Sequence, residues 1–286
     1  MIIVIADGRL GNELFFLAAA HKARRKNENV VGFRFLSLHK SVHKDIWKQV
    51  LKASFTRKKF DDLRIALVLG GLIRLRLVSE LSSHTGKLMF SRGLFPVTVL
   101  RRGFFQSDYS VTATPVEKIV SAVALLKAPN GDSATGTKQK IDNPEITCFI
   151  HVRRGDYLNF PAPETPASLP KGWYLEQINA VRDVQPKAKF AVFSDDVPWC
   201  VDHFGDIDNV QIFDLPPLEC LSLMSQCSMG ILSASSFSWW GAKLASQHGS
   251  GPFIAPLYWY WWGANQWNEV QLGDSKFLDF QPVLTK

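Results

Sequence analysis

Cysteine is scarce: four residues in 286, Cys148, Cys200, Cys220 and Cys227, with no C-x-x-C spacing among them. That excludes a disulfide framework and a cysteine-based zinc site, and predicts reduced thiols in a reducing compartment. The most apolar internal stretch, Ile65 to Ile73, falls far short of the roughly 20 residues that span a bilayer. The opening Met1-Ile2-Ile3-Val4-Ile5 lacks a basic n-region and runs on to Asp7, so no secretory leader is expected and a cytoplasmic protein is predicted. G-x-G-x-x-G is missing, and no P-loop Lys-Ser/Thr follows the turn Gly8-Arg9-Leu10-Gly11-Asn12-Glu13, which argues against a dinucleotide fold and against a sulfotransferase-type phosphate turn. No internal repeat and no nucleic-acid-binding signature of helix, finger or aromatic-sheet type is present, so nucleic acid is not an expected partner.

What remains is an ordinary globular composition, 46% hydrophobic and 21% charged, long enough for one large domain or two compact ones. Nine Trp include several crowded into residues 239–267. Indole rings pack on sugar rings but fill cores at least as often. The net charge of +7 suits an anionic partner. Its basic residues are scattered over Arg24-Arg25-Lys26, Arg57-Lys58-Lys59 and Arg101-Arg102, which reads mostly as solvated helix faces. Residues 57–78 mix basic and apolar side chains, a pattern shared by buried helices with charged flanks and by segments resting on an anionic membrane surface.

The chain opens as strand (IIVI), Gly-rich turn, then helix (ELFFLAAAHKARR). Residues 30–110 resist parsing, and a helix is predicted over 114–126 with Thr114 as N-cap. The polar stretch APNGDSATGTKQKIDNP reads as a linker. Beyond it, ITCFIHV is a continuous apolar strand of the doubly buried kind. Helix 172–183, strands KFAVFS and VQIF, helix 217–227, strand MGILS, a helix from Phe237 to about His248 and strand PFIAP follow. This alternation predicts a βαβ parallel sheet, and two α/β lobes joined near residue 140. In such sheets ligands sit beyond the carboxyl ends of the strands.

Three strand ends carry chemistry. The first is His151-Val152-Arg153-Arg154-Gly155-Asp156-Tyr157. Two arginines ending a buried strand suit bidentate binding of phosphate oxygens and neutralisation of a departing diphosphate; a surface Arg–Asp pair is the plainer reading. In the second, Phe193-Ser194-Asp195-Asp196, adjacent carboxylates can accept hydrogen bonds from a ribose or a guanine, bind Mg²⁺, or simply mark a turn before Val197-Pro198. The third, Ser233-Ala234-Ser235-Ser236-Phe237-Ser238, places hydroxyls at a helix start, which is either an anion site or a serine N-cap. Asp206-Ile207-Asp208 has the D-x-D spacing of metal-using sugar transferases but lies in a polar loop that reads as a turn.

Together these segments resemble glycosyltransferase family 11, the α-1,2-fucosyltransferases, and most of all its bacterial members. DGRLGNELFFLAAA is similar to the family's DGGLGNQMFQYAAA-type motif, with Arg9 where the bacterial motif has Gly, and Glu13 and Phe16 where it has Gln. GFFQSDY, HVRRGDY, FSDDVPWC, SASSFSWWGAKL and IAPLYW match further family motifs in order.

The resemblance implies an α/β GT-B-type fold of two Rossmann-like lobes with a cleft between them: an acceptor-side lobe over 1–140 and a GDP-sugar-binding lobe over 141–286. It implies inverting, metal-independent transfer of L-fucose from GDP-β-L-fucose, a donor substrate with no cofactor, onto a galactoside hydroxyl in an α-1,2 linkage. By position, Arg153 would contact the β-phosphate with Arg154 in support, and His151 would lie beside the nucleotide. Asp195 or Asp196 would hold guanine or ribose. Ser235, Ser236 and the Phe237 amide would complete the phosphate site, and Arg9, Asn12 and Glu13 would come from the other lobe. Glu13, Asp7 and Asp156 are the candidate bases. The implied acceptor is an oligosaccharide or lipid-linked glycan of a surface polysaccharide, with possible peripheral contact at the inner membrane. Two alternatives are carried: the same fold with another GDP-sugar donor or linkage, and a non-catalytic glycan- or nucleic-acid-binding protein.

Overall fold

The computed structural model describes residues 1–6, 8–24, 28–34, 44–55, 59–84, 87–101, 117–119, 121–123, 140–261, 266–269 and 275–283. Asp7, the GFFQSDY segment and most of the expected linker lie outside them; of the helix expected over 114–126, residues 117–119 and 121–123 are helical. The chain forms two compact α/β units, residues 1–126 and residues 127–270 with 275–286.

In the first unit the apolar opening run is strand β1 (Ile2–Ala6), followed by helix α1 (Leu10–Ala23). Helix α1 is apolar nearly all round, with Leu14 through Ala20 buried, so it is a core helix rather than a surface one. Residues 30–101 resolve into β2 (Val30–Arg34), α2 (Lys44–Leu51), β3 (Ser54–Phe55), α3 (Lys59–Arg74), β4 (Ser79–His84), β5 (Lys87–Ser91) and β6 (Thr98–Leu100). The sheet order is β3-β2-β1-β6-β4-β5, with β5 the antiparallel edge strand. Ile3, Ile5, Leu69, Ile73, Val78 and Val99 form a core cluster between α3 and the sheet.

The second unit is more regular. Its strands are β7 (Thr147–Val152), β10 (Lys189–Ser194), β11 (Val210–Phe213), β12 (Met229–Ile231), β13 (Phe253–Pro256) and β16 (Asp279–Gln281). Its helices are α4 (Lys171–Val184), α5 (Val197–Phe204), α6 (Pro217–Met224) and α7 (Ser236–Ala245). Two small hairpins, β8–β9 (Pro161–Ala162, Thr165–Pro166) and β14–β15 (Tyr258–Trp261, Gln266–Glu269), stand outside the sheet. The six sheet strands are all parallel, in the order β11-β10-β7-β12-β13-β16. Counted from β7, that order is the doubly wound 3-2-1-4-5-6, whose direction of growth reverses between β7 and β12. Every residue of β7 is buried, as its unbroken apolar run predicts. Trp47, Trp173, Trp239 and Trp240 are buried too, so these indoles fill cores.

Two local expectations need correction. The segment after Asp196 is not a turn but helix α5, because Asp196 accepts a hydrogen bond from Trp199 N–H at 3.3 Å and Pro198 sits in the first turn, where its missing N–H costs nothing. The helix expected to reach His248 stops at Ala245. The four thiols are buried and free, as their spacing suggested. No helix among the described residues is long and apolar enough to cross a membrane.

Candidate active site

The reversal point between β7 and β12 brings two loops of the second unit together at the carboxyl ends of their strands. After β7, Arg153 and Arg154 leave the sheet and Gly155–Leu158 makes one 3₁₀ turn. After β12 the chain runs through Ser233-Ala234-Ser235 into α7. Three contacts bind the loops: His151 Nδ1 shares a 2.7 Å hydrogen bond with Ser233 Oγ, the His151 and Phe237 rings lie 5.2 Å apart, and the Tyr157 hydroxyl donates to the Ala234 carbonyl at 3.1 Å. From below, the buried Tyr174 hydroxyl donates to the His151 carbonyl at 3.4 Å.

The carboxyl end of β10 supplies the acids. Arg153 pairs with Asp156 and, at 2.5 Å, with Asp195 Oδ2, while its guanidinium lies 5.2 Å from the Tyr157 ring. Asp195 also accepts the Arg154 backbone N–H at 2.8 Å. A Cβ on residue 155 would come within 2.5 Å of Asp195 Oδ2, so glycine is what allows this loop to close on the carboxylate. Arg154 Nε donates to Asp196 Oδ2 at 3.0 Å and its guanidinium stacks 4.1 Å over Trp199. The two guanidiniums therefore face three carboxylates. The Asp156 side chain is 43% exposed and Asp195 28%, so Asp156 is the partner that solvent or an incoming anion displaces more cheaply.

At the start of α7, Ser235 is the N-cap; its Oγ accepts from Phe237 N–H at 3.3 Å, and the buried Ser238 hydroxyl donates to the Ser233 and Ser235 carbonyls. The serine motif is thus a helix cap, placed at a topological switch point with the positive end of the helix beside Arg153's loop. Ser236 and Phe237 are half-buried. Tyr157 and Trp199 were not singled out from sequence; the signal was present in the HVRRGDY and FSDDVPWC runs, but which aromatic braces which arginine depends on contacts between separate strands. In the first unit, Arg9 is exposed at the start of α1 without a side-chain cap, Asn12 is half-buried, and Glu13 is buried at 2% exposure. Asp206 and Asp208 fall in the turn before β11, as the polar loop suggested. Among the described residues no three His, Cys, Asp or Glu side chains converge as a metal cluster.

Burial pushes the His151 imidazole down to about 4, against a smaller opposing pull from Asp195, and pushes the Tyr157 phenol up to about 12. His151 is therefore neutral at neutral pH. Below its ordinary value of 6.5 an unfolded chain takes up a proton here that the folded chain refuses. Folding stability then falls with pH by up to about 1.4 kcal/mol per unit until about pH 4. Thermal melts of His151→Gln across that interval are expected to show a shallower loss than wild type; parallel curves would contradict it.

Comparison with known proteins bears on the family and the fold. The model of glycosyl transferase family 11 matches residues 130–260. The O-antigen biosynthesis glycosyltransferase WbnK of Escherichia coli is 37% identical over 270 residues, 83% of this chain and 88% of that protein. An α-1,2-colitosyltransferase of Escherichia coli is 34% identical over 117 residues, 39% of this chain and 40% of that protein. A solved glycosyl transferase family 9 structure from Veillonella parvula superimposes with a TM-score of 0.50 at 10% identity, covering 100% of this chain and 87% of that one. At that identity the likeness speaks for fold alone: an α/β fold of the GT-B type, each unit built on a mainly parallel sheet.

Proposed function

The chain belongs to glycosyltransferase family 11, and from that membership we propose that it transfers L-fucose from GDP-β-L-fucose to a galactoside hydroxyl, forming an α-1,2 linkage with inversion. The observation that carries the proposal is the meeting of the loop that holds Arg153 and Arg154 with the Ser233–Phe237 helix start at the β7–β12 reversal, through Tyr157 to Ala234 and His151 to Phe237, where open parallel sheets bind their ligands. A nucleoside diphosphate laid there meets guanidinium forks and a helix N-terminus together.

In the proposed reaction the bond between the anomeric carbon and the diphosphate oxygen breaks, and its electron pair leaves with GDP. The acceptor oxygen attacks from the opposite face and loses its proton. Arg153 exchanges Asp156 for the β-phosphate while Asp195 keeps the guanidinium aimed. Arginine thereby carries the charge that a divalent ion carries in metal-using transferases. Glu13 and Asp156 remain the candidates for receiving the acceptor proton. By analogy with the relative named for O-antigen biosynthesis, the acceptor is an oligosaccharide or lipid-linked glycan of a surface polysaccharide.

A second donor is favoured by one specific finding, the likeness to the α-1,2-colitosyltransferase. The test is a transfer assay with GDP-fucose and GDP-colitose, in excess EDTA, with linkage analysis of the product. The proposal expects fucosylated α-1,2 product at an undiminished rate in EDTA. Turnover with GDP-colitose alone would reassign the donor, and activity lost to EDTA and restored by Mn²⁺ would overturn the arginine role.

A further inference from the structure

Helix α3 turns one face inward, with Leu69 and Ile73 in the core cluster, yet the opposite face of its last turns is also apolar. Leu67 is 68% exposed, Val68 61%, and Leu75, just past the helix end, 71%. An outward helix face on a globular unit is normally polar. The loop after β5 extends this surface. Leu94 N–H donates to the Arg76 carbonyl at 3.0 Å, Phe95 N–H to the Leu77 carbonyl at 2.8 Å, and Gly93 N–H to Ser79 Oγ at 3.0 Å. A Cβ on residue 93 would lie 2.2 Å from the Val78 carbonyl carbon, so glycine is required for so close a clamp. These bonds tie exposed Leu94 and Phe95 to the stretch that follows α3 and carries exposed Leu75; Phe90 lines one concavity with Arg92, Leu94 and Phe95, while its neighbour Met89 points to the other face of the sheet. Seven of the eleven large exposed apolar side chains among the described residues fall between Leu67 and Phe95. Of these, Phe90, Leu94 and Phe95 share one concavity next to the Leu75–Leu77 stretch, and that cluster marks a contact surface.

Its charge selects the occupant. Arg74, Arg76 and Arg92 are exposed among these apolar residues, and neither 67–78 nor 87–97 contains an acidic residue. Two carboxylates of the same unit, Glu28 and Glu80, are ion-paired, with the amino terminus at 2.6 Å and with Arg101 at 2.7 Å. A second copy of the chain docked symmetrically would set arginines against arginines. An anionic bilayer surface offers phosphates to the guanidiniums and an acyl boundary to Leu75, Leu94 and Phe95.

We propose that the surface formed by Leu75 and Arg76 after α3, Phe90 and the 92–96 loop seats the protein on an anionic phospholipid surface. The inference is independent of the donor and linkage proposed above.

The test is flotation of the full-length protein with phosphatidylglycerol-containing vesicles and with pure phosphatidylcholine vesicles. Wild type is expected to float with the anionic vesicles, to be released by added salt, and to ignore the neutral ones. The Arg74→Gln/Arg76→Gln/Arg92→Gln variant should partition on the order of 100-fold more weakly, from about 1 kcal/mol per basic residue at 1.4 kcal/mol per tenfold. Leu94→Ser/Phe95→Ser should also lose binding, and both variants should melt at the wild-type temperature because every substituted side chain is exposed. Wild type that ignores anionic vesicles, or arginine variants that bind them undiminished, would overturn the proposal. So would a wild-type dimer that Leu94→Ser/Phe95→Ser converts to monomer.

Discussion

Replacing Arg153 with alanine is expected to lower kcat/KM by about 10²- to 10³-fold, the loss of about 2.7–4 kcal/mol that follows removal of one preorganised donor to developing charge. The guanidinium is fixed before any substrate arrives: its side chain is 12% exposed, gripped by Asp195, and set against Tyr157 at the end of a strand with no exposed residue. A group already aimed spends little reorganisation energy as the diphosphate departs. The substitution also leaves carboxylates without their cation, so a melting curve must accompany the rate. Arg153→Lys keeps the charge, loses the two-pronged geometry, and is expected to fall between the two. Near-normal turnover in a folded Arg153→Ala protein would remove Arg153 from the chemistry.

Asp195→Ala should be the next most damaging change, about 10- to 100-fold in kcat/KM, from about 1.5–3 kcal/mol for a hydrogen bond to a charged group. One carboxylate holds the Arg153 guanidinium and the Arg154 backbone N–H, and abuts Gly155. These contacts suit a positioning residue, and that role separates from reading guanine by titration. If Asp195 acts by aiming Arg153, the variant loses affinity for GDP and for inorganic pyrophosphate by the same factor. Weakened GDP binding with unaltered pyrophosphate binding would restore the base-reading role.

Much of the second unit is legible in the sequence because its signals are local. The unbroken apolar run ITCFIHV reads as a strand buried on both faces, which β7 is, and the serine run ahead of Phe237 marks a helix start, which Ser235 caps. What stays hidden is which strand ends meet. Tyr157 reaches Ala234 across 77 positions, and the β7–β12 adjacency exists only in the folded sheet. A turn at Asp196 is one of the readings the sequence leaves open, because Asp-Val-Pro serves turns and helix starts equally; the accepted Trp199 N–H makes it a helix start. The first unit was harder for a different reason. Its strands are two to six residues long, and α3 is apolar on both faces near its end, which erases the 3.6-residue period that marks a helix.

The role given to fixed arginine charge at the β7–β12 reversal is tested most directly by a crystal structure with GDP bound. The pyrophosphate should lie within hydrogen-bonding reach of Arg153 and of the helix start at 235–237, with Asp156 released from the guanidinium. A pyrophosphate seated elsewhere, with the Arg153–Asp156 pair intact, would contradict it.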